Sequence, residues 1–151
     1  GGVIDVPIFK KIRGKTKKEI ELLDKIQITG KVKKYKGELE IIPRNAGKIS
    51  IVHSVPVDIS DITRTRVGSK MKIQGIIEDK ETVGEGSLLL TVRDDGSKIP
   101  VFVPMSVANS KTFPELDDSR LVRISGTVEV YEGDLEMTLD SPRNLKVIEE
   151  R

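Results

Sequence analysis

Four lysines, Lys31, Lys33, Lys34 and Lys36, bracket Tyr35 immediately ahead of Gly37. Ammonium groups pair with phosphate and an aromatic ring stacks on a base, so this grouping suits a single-stranded nucleic acid. The competing reading is a solvated charged face with no ligand. Gly14-Lys15-Thr16 imitates the end of a phosphate-binding loop, but the motif needs glycine where Phe9 stands and a parallel α/β sheet around it. Both conditions fail, and nucleotide hydrolysis is not expected. The chain has no cysteine and one histidine, His53, which excludes thiolate metal sites and a multi-histidine zinc site. His53 reads as a surface imidazole. The acidic pairs Asp94-Asp95 and Asp117-Asp118 sit in turns, where neighbouring carboxylates point to water, and two-metal chemistry is not expected. Cofactors are expected to be none.

The lysine cluster must be held by a hairpin, because the same stretch occurs twice. Ile28-Thr29-Gly30-Lys31-Val32 through Ile41 repeats, 96 positions later and without a gap, as Ile124-Ser125-Gly126-Thr127-Val128 through Met137. Each copy reads as a strand, a tight turn at Lys36-Gly37 or Glu132-Gly133, and a return strand with apolar residues at every second position. A shorter echo, Val6-Pro7-Ile8-Phe9 against Ile99-Pro100-Val101-Phe102, lies at offset 93. Two matched blocks in one order point to a duplicated all-β unit. The copies differ in charge: Glu129, Val130 and Glu132 stand where the first copy has Lys33, Lys34 and Lys36. One copy is thereby suited to phosphate, the other to a different partner or to weaker binding.

Composition agrees with a small β protein: 151 residues, 36% hydrophobic and 33% charged. The net charge of +2 conceals an asymmetry. Residues 1–52 carry 13 Lys/Arg and 6 Asp/Glu, a balance of +7, against 13 and 18, or −5, over residues 53–151. A basic half suggests a polyanionic partner; a solubilising surface is the alternative. No apolar run approaches the ~20 residues of a membrane span and no signal peptide is visible. A cytoplasmic location is the expectation, and the opening Gly1-Gly2 reads as a tag scar or a fragment.

In chain order, residues 3–9 alternate as a strand with Pro7 at an edge. Lys10–Lys15 reads as a basic loop. Thr16 with Glu19 forms a capping-box pair ahead of Ile20, Leu22 and Leu23, which predicts a helix over about 16–23. Strands follow at 25–35, 38–43 and 48–52, then a connector over 53–66. The second unit reads as strands at 71–77, 87–94, 98–103, 120–131 and 134–139, with a polar loop over 79–86. A long connector over 104–118 carries Phe113, read as packed.

Val67-Gly68-Ser69-Lys70-Met71-Lys72-Ile73-Gln74-Gly75-Ile76-Ile77, Leu90–Gly96, Ile99–Phe102, Val122–Val128 and Tyr131–Glu136 together resemble an OB-fold module. The type is the nucleic-acid-binding one of archaeal replication-protein-A-like proteins, also appended to prokaryotic nucleases and helicases. The resemblance covers residues 58–150 fully and, over 1–52, only the second half of a module. It implies an all-β fold: a small five-stranded OB-type barrel over 67–151, joined by the connector 53–66 to a partial OB unit over 1–52. It also places the ligand across the second and third barrel strands, between two loops. On the second unit the residues for that face and its rim are Arg93, Lys98, Phe102, Arg123 and Tyr131. On the first they are Phe9, Arg13, Lys15, Lys31, Lys33, Lys34, Tyr35, Lys36 and Arg44. Tyr35 and Tyr131 each precede a glycine turn, a place that serves equally to clamp the hairpin or to offer a ring for stacking. The expected function is a non-catalytic tandem module for single-stranded DNA or RNA within a larger DNA- or RNA-processing protein or assembly. The alternatives are a protein–protein module in a multi-subunit assembly and a nuclease accessory domain. A protein partner or a strand-swapped homodimer would complete the first barrel.

Overall fold

The structure, a computed structural model, describes residues 2–15 and 19–148 and divides into two compact units, Gly1–Ser54 and Val55–Arg151. In the first unit a single helical turn, α1 (Lys10–Arg13), is followed by β1 (Lys25–Ile28), β2 (Gly30–Tyr35), β3 (Glu38–Pro43) and β4 (Ile49–Val52). β1 pairs with β4 and β2 with β3, both antiparallel. Asp5 makes an isolated parallel bridge to Glu40, and the Ile41 amide donates to the Asp5 carbonyl at 3.1 Å.

Three expectations for this unit change. Residues 3–9 do not form a strand beyond the Asp5 bridge, so the offset-93 echo is not a repeated strand; Pro7 has no amide to continue the ladder. The basic loop is instead one helical turn at 10–13. Of the helix expected at 16–23, Thr16, Lys17 and Lys18 lie outside the described residues, and Glu19–Leu23 is not helical. The Asp24 carboxylate there accepts the Glu21 amide at 2.8 Å, and Leu23 has φ of 72°, a left-handed value that no helix continues through.

In the second unit β5 (Lys70–Val83), β6 (Ser87–Arg93) and β7 (Lys98–Val103) run as an antiparallel meander. One helical turn, α2 (Met105–Ala108), precedes β8 (Leu121–Tyr131), β9 (Asp134–Thr138) and β10 (Leu145–Val147). β8 pairs with β5 at its start and β9 at its end, and β9 lies parallel to β7. The order β8-β5-β6-β7-β9-β8 therefore closes a five-stranded ring, an OB-type barrel, and β10 adds to the outside of β8. Alternate residues fill it: Ile73, Ile77, Leu90, Val92, Val101, Ile124, Val128 and Met137 are wholly enclosed. Each such side chain contributes about 1.5–3 kcal/mol on burial.

β5 is twice as long as the sequence suggests. Residues 79–83 are not a loop but pair with Ser87–Thr91, past a bulge between Ile77 and Asp79. Asp79–Thr82 are exposed although they pair with β6 within the ring, so apolar alternation is missing there and the polar residues are read as loop. The expected connector is also structured. Ile59 and Ile62 enter the barrel core, and the Val57 amide donates to the Lys72 carbonyl at 2.8 Å. Asp94 does not point to water: its carboxylate accepts the amides of Ile59 (2.6 Å), Ser97 (3.1 Å) and Gly96 (3.4 Å). Burial pushes its pKa up, but those three donors outweigh it and hold the group below the usual aspartate value. Phe113 packs on the core as expected. No helix among the described residues is long and apolar enough to cross a membrane.

Candidate nucleic-acid interface

The two hairpins are built in one register. β2–β3 pairs Lys31 with Ile42, Lys33 with Glu40 and Tyr35 with Glu38. β8–β9 pairs Thr127 with Thr138, Glu129 with Glu136 and Tyr131 with Asp134, each 96 positions on. Both turns have φ of 49° then 91°, at Lys36-Gly37 and Glu132-Gly133, the left-handed pair that matches strand twist. Even the outer pairing repeats: Ile28 faces Ile49 as Ile124 faces Leu145.

Pairing sorts the lysines by face. Lys31, Lys33 and Tyr35 share one face of β2, with Lys36 at the turn, and all are exposed. The Lys36 ammonium lies 5.3 Å from the Tyr35 ring centre, so that ring already carries a cation over one side. Lys34 points to the opposite face, with Val32, and does not join the others. Beside Lys31 a depression of about 400 Å³ is lined by Thr29, Gly30, Lys31, Arg44 and Lys48. Lys48 was missed in the sequence. It reaches this place because the Thr29 amide donates to the Lys48 carbonyl at 2.9 Å, a pairing without a local signal.

The remaining residues of the first unit are less convergent. Phe9 is exposed at the start of α1; Arg13 and Lys15 are exposed on and after that turn. No hydrogen bond or ion pair found among the described residues joins these three to the β2–β3 hairpin. His53 is not a free surface imidazole. Its Nδ1 is 2.7 Å from Asp24 Oδ2, and Asp24 also takes the Ser54 amide at 3.1 Å. Glu21, Asp24 and His53 have spacing that could hold a metal ion. The enclosed Asp24 carboxylate is nevertheless spent on tying the 21–24 turn to the end of β4.

The outer face of the barrel carries the other sign. Arg93 and Lys98 lie opposite one another on β6 and β7, but Glu78 reaches both, at 3.7 and 3.6 Å. Phe102 is half-buried between Leu89 and Thr138. Around it pairing places Asp79 and Glu81 of β5, Glu129 of β8 and Glu136 of β9 on the same outer face. Arg123 is not on the β6–β7 face: it lies on β8 against β5, where Nε and Nη2 donate to Gln74 Oε1 at 3.3 and 3.2 Å. Tyr131 is exposed beside the turn, next to Glu132.

Glu129 stands directly across from Glu136. Partial burial, then the Glu129 charge, raises the Glu136 pKa above its ordinary value. The folded state therefore binds this proton more tightly than the unfolded state. Stability falls as pH rises from the ordinary glutamate value through the raised one, and the loss persists at neutral pH. In the first unit the same pair is Lys33 and Glu40, of opposite sign. Glu129→Lys is expected to restore about 0.5 kcal/mol at pH 7 and to lessen, without removing, the fall of stability above the ordinary glutamate value, since burial remains; urea melts across pH read both.

No family model and no curated protein matches the chain. Solved structures do. The chain is similar to the asparaginyl-tRNA synthetase of Pyrococcus horikoshii complexed with asparaginyl-adenylate, at 23% identity and a TM-score of 0.54, over 62% of this chain and 22% of that one. It is similar to the Entamoeba histolytica asparaginyl-tRNA synthetase, at 15% identity and a TM-score of 0.51, over 64% of this chain and 23% of that one. An OBody bound to hen egg-white lysozyme aligns over its whole length and 67% of this chain, at 20% identity and a TM-score of 0.52. The chain thus corresponds to under a quarter of the synthetase chains. At these identities the likeness speaks for fold alone, and it agrees with the closed ring of β5 to β9: an OB-type barrel.

Proposed function

We propose that this chain is a non-catalytic module that grips single-stranded nucleic acid through the β2–β3 hairpin of a partial OB unit, which is followed along the chain by a complete OB barrel. The carrying observation is the shared face of Lys31, Lys33 and Tyr35, extended by Lys36, Arg44 and Lys48. In the second unit the residues 96 positions on are Thr127, Glu129, Tyr131, Glu132, Asp140 and Asn144. One scaffold thus presents six groups with five cations in one place and none in the other. The partial-unit reading is supported by the common order of a bridged residue or strand, one helical turn, a strand, a hairpin and a return strand in both units. A non-catalytic role is supported by the engagement of Asp24, Asp94, Arg93 and Lys98 in structural contacts.

Fluorescence anisotropy of a labelled oligonucleotide tests this reading. Binding is expected at low salt, with log K falling against log salt with a slope of roughly −2 to −4 for three to five phosphate contacts. A flat salt response, or no binding at 20–50 mM salt, overturns it.

A second reading rests on the barrel's outer face, where Asp79, Glu81, Glu129 and Glu136 surround Phe102. Such a face suits a basic protein rather than a polyanion. The OBody of similar fold is described bound to a protein, hen egg-white lysozyme. Retention of a basic protein by the second unit, with no oligonucleotide binding by the chain, favours this reading.

A further inference from the structure

The first hairpin shows to solvent the face that the second hairpin buries. Val32 is 59% exposed where Val128 is 0%, and Ile26 is 38% exposed where Val122 is 0%. Leu39 is 57% exposed where Leu135 is half-buried against the core. The covering elements in the second unit are β5 and β6. β5 lies along β8 from Lys70 opposite Thr127 to Ile76 opposite Leu121. Among the described residues the matching edge in the first unit, Lys25 to Lys31, has no strand beside it: β1 pairs there with β4 alone, and β2 with β3 alone.

Resting on the partial-unit reading, we propose that this edge and face seat an antiparallel β-hairpin of the β5–β6 kind, with a carboxylate at the position Lys70 holds in the second unit. The strand completes the ladder on β1, and its alternate aliphatic residues cover Ile26, Val32 and Leu39. The charge rule comes from the repeat. Asp140 accepts from Lys70 Nζ at 3.1 Å and from Thr127 at 3.0 Å. Ninety-six positions earlier, Arg44 replaces Asp140 and Lys31 replaces Thr127. A lysine on the docked strand would meet two cations there; a glutamate pairs with both. Phosphate gripping then falls to Lys33, Tyr35 and Lys36, which lie past the end of the docked strand.

The occupant is neither β5 of the same chain nor a second copy. β5 and β6 are already paired within the ring. Two copies meeting at this edge would set Lys25 and Lys31 of one against Lys25 and Lys31 of the other, a repulsive contact. The repeat supplies its character: β5 and β6 immediately precede β7, and the Asp5 bridge to β3 is the first unit's nearest counterpart of the β7–β9 pairing. The occupant is a partner hairpin that stands to the Asp5 segment as β5 and β6 stand to β7, with alternate aliphatic residues and one carboxylate.

The test adds labelled peptides to the 151-residue chain. One peptide spans Val67–Asp94 of this protein; the other is the same with Lys70→Glu. The glutamate peptide is expected to bind about fivefold more tightly, with amides of Lys25–Ile28 gaining protection from hydrogen exchange. Arg44→Asp in the protein is expected to reverse that preference. Lys33→Glu/Lys36→Glu is expected to weaken oligonucleotide binding and leave peptide binding within about twofold. Three results overturn the proposal: neither peptide binds, the preference does not reverse, or the chain sediments as a dimer with Lys25–Ile28 already protected. The oligonucleotide arm is independent of all three, so a failed hairpin proposal and a failed nucleic-acid reading give different patterns.

Discussion

Lys31→Glu/Lys33→Glu/Lys36→Glu is expected to weaken binding of a single-stranded oligonucleotide by at least about 50-fold at 50 mM salt. The three ammonium groups share one face of a hairpin whose turn and register are fixed by backbone pairing. Reversing them replaces three attractions by three repulsions along one track. All three side chains are exposed, so the fold has little at stake. Lys34→Glu is the informative control. It changes the charge as much per residue but acts on the opposite face, and a loss within about threefold is expected. Equal losses from Lys34→Glu and from Lys33→Glu would mean that net charge alone drives binding. Tyr35→Ala is a smaller change, because Lys36 already covers one side of the ring.

Gly126→Val is expected to cost about 3 kcal/mol and to lower the Tm of the barrel by roughly 12–20 °C. A Cβ at Gly126 would sit 2.6 Å from the Thr138 carbonyl oxygen, where β8 and β9 close the ring. A backbone carbonyl cannot swing aside as a side chain can, so the seam must open. Gly30 makes the same approach to the Ile42 carbonyl in the first hairpin. The two glycines thus mark one structural demand met twice. Gly96→Ala is the control: its Cβ would meet nothing within 4 Å, and a change under about 0.5 kcal/mol is expected in thermal melts. An unchanged Tm for Gly126→Val would deny that this approach holds the seam.

What the sequence made legible was the part governed by short-range pattern. Alternation and turn chemistry set β3 and β7 to the residue, and the gapless 96-residue offset made both hairpins visible before any coordinates. Three things were hidden because their causes lie far along the chain. The helix expected at 16–23 gives way over Glu19–Leu23 because Asp24 is engaged by Ser54 and His53, some thirty residues away. The far half of β5, Asp79–Thr82, is exposed, so alternation was silent there, and only its pairing with β6 makes it a strand. Lys48 joins Lys31 and Arg44 only through the pairing of β1 with β4. The separation of Lys34 from its neighbours, by contrast, was available from strand alternation. Reading the four lysines as one loop concealed it.

On the barrel's outer face the site residues inferred from fold geometry meet acidic neighbours. Arg93 and Lys98 lie on the strands that the resemblance implies, yet Glu78 holds both, and Asp79, Glu81, Glu129 and Glu136 set the sign of the surroundings. Fold placed the side chains; the neighbours decide what they can bind.

Amide chemical-shift mapping of the isotope-labelled chain, titrated with a short single-stranded oligonucleotide, tests the division between the two hairpins most directly. The account predicts the largest changes at Lys31–Gly37, with further changes at Arg44 and Lys48, and none above noise at Thr127–Gly133. Changes concentrated on β6 and β7, or equal in the two hairpins, would contradict it.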